Sequence, residues 1–412
     1  MAYKLIDIKL NQVLLYLGIV LFPFQNLSIL LNSSYDFSAI LLLSYIFLLS
    51  FEVIKKPMSI KFRRILKYFI VFIFVQLILF YFTDTPFYRL LSALVWFGGI
   101  ALFFIFQREI KIDFLKTYKI IFISLLFTSF FIITDFFLFN IRPKAFFSEP
   151  SYAGLVLFSF SAAHFACYIL NQNLLGKKSY TLWTGTFFFI ISSLTKSMHI
   201  FTFLIVLTIV LFISIKKYNH LKIYLFLILS CLLLFTASIY QEKFYSLKLI
   251  FNADHYLLYP VDEAGLEHEL NRSVLCWFDG FVQAVSAVMI DPFLGLGLGS
   301  TGFFNYESTY SALLIKYYGS NPNKFDTYSG LFRMIIELGF ISTILILNAF
   351  LKKISLLKLK SHQTFEQVFI RVFSFALIIG ILIKEPVYSR SHVYLAVLLF
   401  SASFIKPRKN IP

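Results

Sequence analysis

Long apolar runs alternate with short polar segments along most of the chain. A run near or above about 18 apolar residues is long enough to cross a bilayer as a helix. The pattern predicts an all-α polytopic membrane protein, and the first run is a retained helix because no small-residue cleavage site follows it. We predict twelve transmembrane helices, at residues 13–31, 37–54, 66–82, 90–106, 120–139, 151–170, 181–195, 199–215, 223–240, 331–351, 370–387 and 391–406.

One long stretch interrupts this pattern at residues 241–330, between the ninth and tenth predicted helices. It separates a nine-helix segment, residues 1–240, from a three-helix segment with the C-terminus, residues 331–412. Inside this large loop, the apolar sequence SVLCWFDGFVQAVSAVMI carries Asp279 near its centre. The carboxylate favours an amphipathic helix that lies on the membrane surface over a thirteenth span.

The distribution of basic residues gives the predicted helices an orientation. The chain has a net charge of +16 at pH 7, and 25 of its 37 Lys and Arg residues fall in alternate short segments and at the termini. Such a bias marks the cytoplasmic side of a membrane protein. We therefore predict that both termini are cytoplasmic, that the large loop lies on the other side, and that the positive charge reflects topology and no nucleic-acid partner.

Few charged residues lie at the non-cytoplasmic boundary, so those present are informative. Arg142, Lys144 and Glu149 occur together in the sequence RPKAFFSEPSYAG. Pro143 and Pro150 place the residues before them on extended backbone, and Pro150 suits the first turn of the sixth predicted helix. Two interpretations stay open: a cation paired with a base at the water–lipid boundary, or a helix cap beside a lipid anchor.

The large loop and the helix after it add further candidates. Arg272 precedes the amphipathic helix, where its guanidinium suits a phosphate, with ordinary anchoring to headgroups as an equal alternative. The sequence DPFLGLGLGSTGFF, residues 291–304, is predicted to form a close-packed turn rather than a sugar or phosphate contact. No βαβ unit surrounds it, so it is not a nucleotide-binding fingerprint. Arg333 and Glu337 are four residues apart in the tenth predicted helix, and we expect them to pair.

Polar residues inside the predicted helices are few. We expect Asp135 to face a cavity near the outer end of its helix, and Gln76 and His164 to be satisfied core groups. The chain has three cysteines, Cys167, Cys231 and Cys276. Their spacing indicates neither a disulfide framework nor a metal site, and we predict no metal.

Four segments occur in an order that resembles a known family. They are FFSEPSYAG at the start of the sixth predicted helix, LTKS at residues 194–197, DPFLGLGLG in the large loop, and LFRMIIELGF as the chain re-enters the membrane. Over roughly residues 140–400 this order resembles the O-antigen polymerase and ligase superfamily of Gram-negative inner membranes, and the Wzy-type polymerases in particular. The resemblance implies a GT-C-like glycosyltransferase of the bacterial inner membrane, with one large periplasmic loop bearing short amphipathic helices.

This resemblance also implies the substrates and the chemistry. Oligosaccharide repeat units carried on undecaprenyl pyrophosphate are joined without a cofactor or a nucleotide sugar. Cations at headgroup depth would stabilise the departing pyrophosphate. We assign that role to Arg142, Lys144, Arg272 and Arg390. The attacking sugar hydroxyl needs a base. Glu149 is our first candidate and Asp326 our second. A helix N-terminus lowers the basicity of Glu149, so the alternative role for Glu149 is to orient an arginine.

One difference separates the two branches of this superfamily. The ligases resemble one another in carrying a histidine near the end of the large loop, whereas residues 323–334 here read NKFDTYSGLFRM, with Asp326 and no histidine. This favours a polymerase over a ligase. A flippase or polysaccharide exporter is the alternative of another class, but exporters usually place broken or polar helices near the midplane, in two related halves. Membrane lipids are expected partners, and a chain-length regulator is left open.

Overall fold

The computed structural model describes residues 2–25, 36–55, 60–82, 85–139, 143–147, 149–170, 177–195, 197, 199–214, 272–301, 308–321, 323, 327–354, 364–384 and 388–403. The helices in these residues are α1 (Ala2–Leu21), α2 (Phe37–Ile54), α3 (Ile60–Tyr81), α4 (Phe87–Ile105), α5 (Phe114–Phe139), α6 (Pro150–Ile169), α7 (Lys178–Leu194), α8 (Ile200–Ser214), α9 (Arg272–Ile290), α10 (Thr309–Tyr318), α11 (Gly330–Leu338), α12 (Phe340–Ile354), α13 (Phe365–Lys384) and α14 (Ser391–Ser403). The predicted all-α class is confirmed for this part of the chain.

Most of the predicted helices are present, with shifted ends. The second coincides with residues 37–54, as predicted. The first was placed wrongly at 13–31, because α1 runs from Ala2 and ends at Leu21. Pro23 explains this end, since proline disfavours helical backbone at the residue before it and donates no hydrogen bond. The ninth predicted helix, residues 223–240, lies outside the described residues.

Seven of the described helices are long and apolar enough to cross a membrane. This makes the structure compatible with a multi-pass membrane protein. One of the seven is α9, which the sequence analysis placed on the membrane surface. By length and composition α9 meets the criteria for a span, so its surface position stays a prediction, as do the number of twelve spans and the GT-C-like fold.

Helix α6 forms the centre of the helical assembly. Over an 18-residue stretch of α6, 83% of the residues are buried inside the protein, whereas over the corresponding stretch of α3 only 6% are. The difference follows from composition: α6 carries small residues on all sides, and small residues let neighbouring helices approach closely. A side chain at Gly154 would collide with Ser197, in the turn before α8, and one at Gly380 of α13 would collide with Leu155. Because its neighbours hold α6 in place, α6 fixes the position of the residues in its first turn.

The tenth predicted span is not one helix. The sequence predicts a continuous helix at residues 331–351, but α11 ends at Leu338 and α12 begins at Phe340. Gly339 stands between them with φ +81° and ψ 159°, a conformation that side chains rarely adopt. The prediction was wrong because hydropathy continues unchanged across a break of one residue.

The glycine-rich segment closes around this break. The N–H groups of Leu296 and Gly297 donate to carbonyls in the last turn of α11, at 2.8 and 3.1 Å. Gly295 has φ +69° and lies against the backbone of Gly339, so that a Cβ at either glycine would collide with the other. The N–H of Leu298 donates to the Gln76 side chain at 2.7 Å. The predictions of a close-packed turn and of a satisfied Gln76 are therefore confirmed.

Helices α9, α10 and α11 pack together around one buried carboxylate. Asp279 of α9 has no exposed surface. It accepts five hydrogen bonds of 2.5–3.1 Å, from the side chains of Gln283, Ser308, Ser311, Asn321 and Asn323. The opposite stripe of α9, formed by Phe281, Val285 and Met289, is exposed. Helix α9 thus has two faces: one buries the carboxylate together with Leu275, and the other exposes large apolar side chains.

Candidate functional site

Glu149 lies directly before α6, where the sequence placed it. Pro150 is the first residue of the helix, and Glu149 has φ −138° and ψ 151°, the extended backbone expected before proline. Its carboxylate makes no capping hydrogen bond to the helix; instead Oε2 accepts from the Ser151 hydroxyl at 2.9 Å. The side chain is exposed, so the carboxylate is within reach of an incoming hydroxyl group.

The turn that carries Lys144 is fixed on both sides. The Ala145 N–H donates to Asp135 Oδ2 of α5 at 3.2 Å, and the Phe146 ring lies 4.9 Å from that of Phe24, just beyond α1. Asp135 therefore holds this turn rather than only facing a cavity. Lys144 itself is exposed, so its ammonium group is presented at the same end of the helices as Glu149.

Arg390 is held by a buried carboxylate and an aromatic ring. Its Nη1 lies 3.5 Å from Asp36 Oδ1, and its side chain keeps 27% of its surface exposed, against 1% for Asp36. The guanidinium carbon is 5.5 Å from the centre of the Tyr152 ring, in the first turn of α6. Asp36 also accepts the Ser391 N–H at 2.9 Å. Arg390 is thereby oriented while part of it stays accessible.

Sequence reasoning missed the polar contacts made by Arg390 and by the two residues after it. Asp36 directly precedes α2, the position that capping residues occupy, and that signal was present in the sequence. Gln25 donates to Ser391 Oγ and to the His392 ring, each at 3.1 Å, and nothing local to Gln25 indicates this. We call the group formed by Gln25, Asp36, Tyr152, Arg390, Ser391 and His392 the outer cluster. It joins the N-terminal ends of α2, α6 and α14, where helix dipoles favour anions.

The other predicted site residues lie elsewhere or outside the described part. Arg142 and Asp326 are not among the described residues. Arg272 begins α9, is exposed, and lies with its guanidinium carbon 5.6 Å from the centre of the Tyr318 ring at the end of α10. The contacts described for Arg272 are therefore within the unit around Asp279, and those of Arg390 are within the outer cluster.

Arg333 and Glu337 form the ion pair that the sequence predicts. Arg333 Nε donates to Glu337 Oε1 at 2.9 Å, and both residues are buried. The Thr301 hydroxyl donates to the same oxygen at 2.9 Å, and the guanidinium lies 4.4 Å from the centre of the Tyr388 ring. Burial, and then the Glu337 carboxylate, raise the pKa of the Tyr388 hydroxyl. Tyr388 therefore stays neutral at physiological pH.

An apolar cavity lies between the helices, with Tyr388 in its lining. Its volume is about 560 Å³ and its walls come from α3, α4, α11, α12, α13 and α14. The lining includes Phe97, Phe104, Met334 and Phe350. Tyr388 is two residues before Arg390 in the chain. A cavity with such walls suits a hydrocarbon chain and not a polar molecule.

The prediction that His164 is a satisfied core group is only partly confirmed. Its Nε2 is 3.5 Å from the Tyr118 hydroxyl, but the structure gives its buried Nδ1 no hydrogen-bond partner. Aromatic rings of Phe160, Phe365 and Phe369 surround it. It is therefore a core histidine that is satisfied at one nitrogen.

The outer cluster and its neighbours combine two cations with one exposed carboxylate. Arg390 and Lys144 can stabilise negative charge, and Glu149 can accept a proton from a hydroxyl group. Within the part of the chain that the structure describes, no three His, Cys, Asp or Glu side chains are placed to hold a metal ion. No family model matches the chain, and no curated protein matches it. The functional assignment rests on this arrangement and on the sequence resemblance.

Proposed function

We propose that the chain is an O-antigen polymerase of the bacterial inner membrane. It polymerises undecaprenyl-pyrophosphate-linked oligosaccharide repeat units at the periplasmic face, transferring the growing chain to the non-reducing end of a new lipid-linked unit. One observation supports the proposal: the partly exposed Arg390 lies over the ring of Tyr152, in the first turn of α6 and three residues after the exposed Glu149.

The reaction assigns a step to each group. The acceptor sugar hydroxyl attacks the anomeric carbon of the donor chain, and its proton passes to Glu149. The bond between that carbon and the pyrophosphate oxygen breaks, and the pyrophosphate leaves with the electron pair. Arg390 and Lys144 stabilise the charge that develops on the pyrophosphate, helped by the positive ends of the helix dipoles. Arg142 and Arg272 keep the same proposed role, and Asp326 stays the second candidate base.

The apolar cavity supports a lipid-linked substrate. A polyprenyl carrier has one long hydrocarbon chain and a pyrophosphate head, and the lining of the cavity includes Tyr388, two residues before Arg390 in the chain. An enzyme that used soluble nucleotide sugars would not need an apolar cavity among its helices. The same geometry leaves the repeat-unit sugars and a chain-length regulator as matters for experiment.

Gel laddering of surface polysaccharide tests the proposal. A host that lacks its own polymerase is complemented with the wild type, Glu149→Gln, Arg272→Ala or the control Lys177→Ala, at matched protein levels. Lys177 is exposed before α7, on the predicted cytoplasmic side. We expect a ladder with the wild type and Lys177→Ala, and a single repeat unit with the other two.

The outcomes separate the competing functions. No ladder from the wild type in the matching sugar background, together with transport of lipid-linked oligosaccharide in inverted vesicles, would establish the exporter. Transfer of preformed polymer to lipid A core would establish the ligase. Ladders from the wild type and all three variants would keep the polymerase and remove Glu149 and Arg272 from its site.

A second test concerns the shape of the cations. Arg142→Lys, Arg272→Lys and Arg390→Lys all keep the charge but lose the planar fork that binds two phosphate oxygens at once. We expect each to reduce ladder formation at least about tenfold, the change in rate that about 1.4 kcal/mol of lost transition-state stabilisation produces. Full activity in any one of them excludes that arginine from the leaving-group role.

A further inference from the structure

His392 is fully buried in the first turn of α14. Its Nδ1 lies 3.1 Å from Gln25 Nε2. The same amide nitrogen lies 3.1 Å from Ser391 Oγ. Gln25 comes from the segment just beyond α1, so this contact joins residues that are 367 positions apart in the chain. Nothing in the reaction described above uses His392.

The hydrogen-bond pattern decides which ring nitrogen carries the proton. The Ser391 hydroxyl has a single proton and donates it to the Phe22 carbonyl at 3.0 Å. Ser391 Oγ must then accept from Gln25, so it is the amide nitrogen, and not the amide oxygen, that faces both Ser391 and His392. Because that nitrogen is a donor, His392 Nδ1 must be an acceptor. The ring proton of His392 is therefore placed on Nε2.

The fixed ring supports the side chains that face the substrate. The rings of His392 and Tyr152 are 5.1 Å apart and inclined by 37°. The Arg390 guanidinium lies over the same tyrosine ring at 5.5 Å. Tyr152 is thus contacted by two residues of one short segment, and it belongs to the same helical turn as Glu149. The two contacts link the His392 ring, through Tyr152, to the surface on which Arg390 rests.

We propose that His392, held by Gln25 with its proton on Nε2, is a positioning residue that sets the orientation of Arg390 toward the phosphate groups of a lipid-linked substrate. The proposal rests on the proposed function and adds to it the residues that fix its cation. It also explains why a buried histidine stands beside an arginine: a protonated imidazole would donate toward Gln25 and repel the guanidinium, whereas the neutral tautomer does neither.

The first experiment measures the tautomer without any reaction. Nitrogen-15 spectra of histidine-labelled protein in bilayers are recorded for the wild type, for His392→Asn to identify the signals, and for Gln25→Glu. We expect an unprotonated Nδ1 and a protonated Nε2 in the wild type, and a protonated Nδ1 in Gln25→Glu, whose carboxylate can only accept. A protonated Nδ1 in the wild type overturns the proposal.

The second experiment measures the positioning. Binding of radiolabelled inorganic pyrophosphate, and the apparent KM for lipid-linked units, are compared for the wild type, His392→Phe and Gln25→Glu. His392→Phe keeps a ring against Tyr152 but has no Nδ1, so a packing role alone would leave it active. We expect at least tenfold weaker pyrophosphate binding and a raised KM in both variants, with kcat changed less.

The two proposals fail in different ways. Wild-type binding and KM in His392→Phe and Gln25→Glu would overturn the positioning role while polymerisation stands. If the wild type forms no polymer, the proposed function fails, and pyrophosphate binding by the same variants still decides whether His392 orients Arg390.

Discussion

At the scale of single residues, Asp279 shows how a carboxylate is kept inside an apolar helix. An unpaired charge there would be costly, but five donors surround this carboxylate and satisfy both oxygens. The donors come from α9, from the start of α10 and from the loop before α11. Asp279 therefore links these three segments through one carboxylate.

Replacing this carboxylate should destabilise the protein. Asp279→Ala leaves several buried donors without an acceptor, each at a cost of about 1–3 kcal/mol. We expect a loss of about 3 kcal/mol or more, measured by thermal unfolding of the purified protein in detergent. Asp291→Ala is the matched control, since Asp291 accepts two backbone hydrogen bonds in an exposed turn. A similar effect for both variants would remove the special role of Asp279.

Some features of individual site residues could be predicted from the sequence, and others could not. Glu149 and its extended backbone follow from the proline after it, a local rule. The contact between Arg390 and Asp36 does not, because Asp36 lies more than three hundred residues earlier in the chain and reaches Arg390 only through tertiary packing. Local sequence patterns predict where helices begin and end, but they do not predict which helix ends lie next to each other.

At the scale of elements, the break between α11 and α12 is the clearest departure from the sequence pattern. Both halves are apolar, so a hydropathy profile shows one span. The break depends on the reciprocal contact of Gly295 and Gly339, which lie 44 residues apart. A glycine inside an apolar run does not by itself predict a helix break. The break at Gly339 can be understood only from its contact with Gly295 in the glycine-rich segment.

Two glycines with positive φ allow the cost of backbone strain to be measured separately from the cost of a steric clash. Gly339→Ala must place a methyl group against the backbone of Phe293 and Gly295, whereas a Cβ added at Gly319, which has φ +69°, would meet nothing within 4 Å. We expect Gly319→Ala to cost about 1 kcal/mol from backbone strain alone. Gly339→Ala should cost clearly more, measured by thermal unfolding. Equal costs would show that α11 and α12 can separate freely.

At the scale of the whole molecule, the apolar pattern predicted the helical class and the place of most helices, because burial in lipid and burial in protein both select apolar residues. For the same reason it could not tell them apart. Helix α6 is almost enclosed by other helices and α3 is almost fully exposed, yet both appear as apolar runs. The distinction depends on small residues that let α6 pack on every side.

Cysteine labelling tests the predicted orientation. In a chain whose three cysteines are replaced by alanine, Lys144→Cys and Lys177→Cys place single thiols at exposed positions before α6 and α7. We expect a membrane-impermeant maleimide to label residue 144 in intact spheroplasts, and residue 177 only after permeabilisation. Labelling of both from outside, or the reverse order, would invert the topology and move the outer cluster to the cytoplasm.

The contact between Ser391 and Asp36 spans 355 positions of the chain, and this has a consequence for biosynthesis. A ribosome delivers the helices in order, so Asp36, Gln25 and Tyr152 enter the membrane long before Arg390 is made. A nascent chain already inserted as far as α13 contains no complete outer cluster. The cluster is complete only after α14, the last of the described helices, has been made and packs against α2.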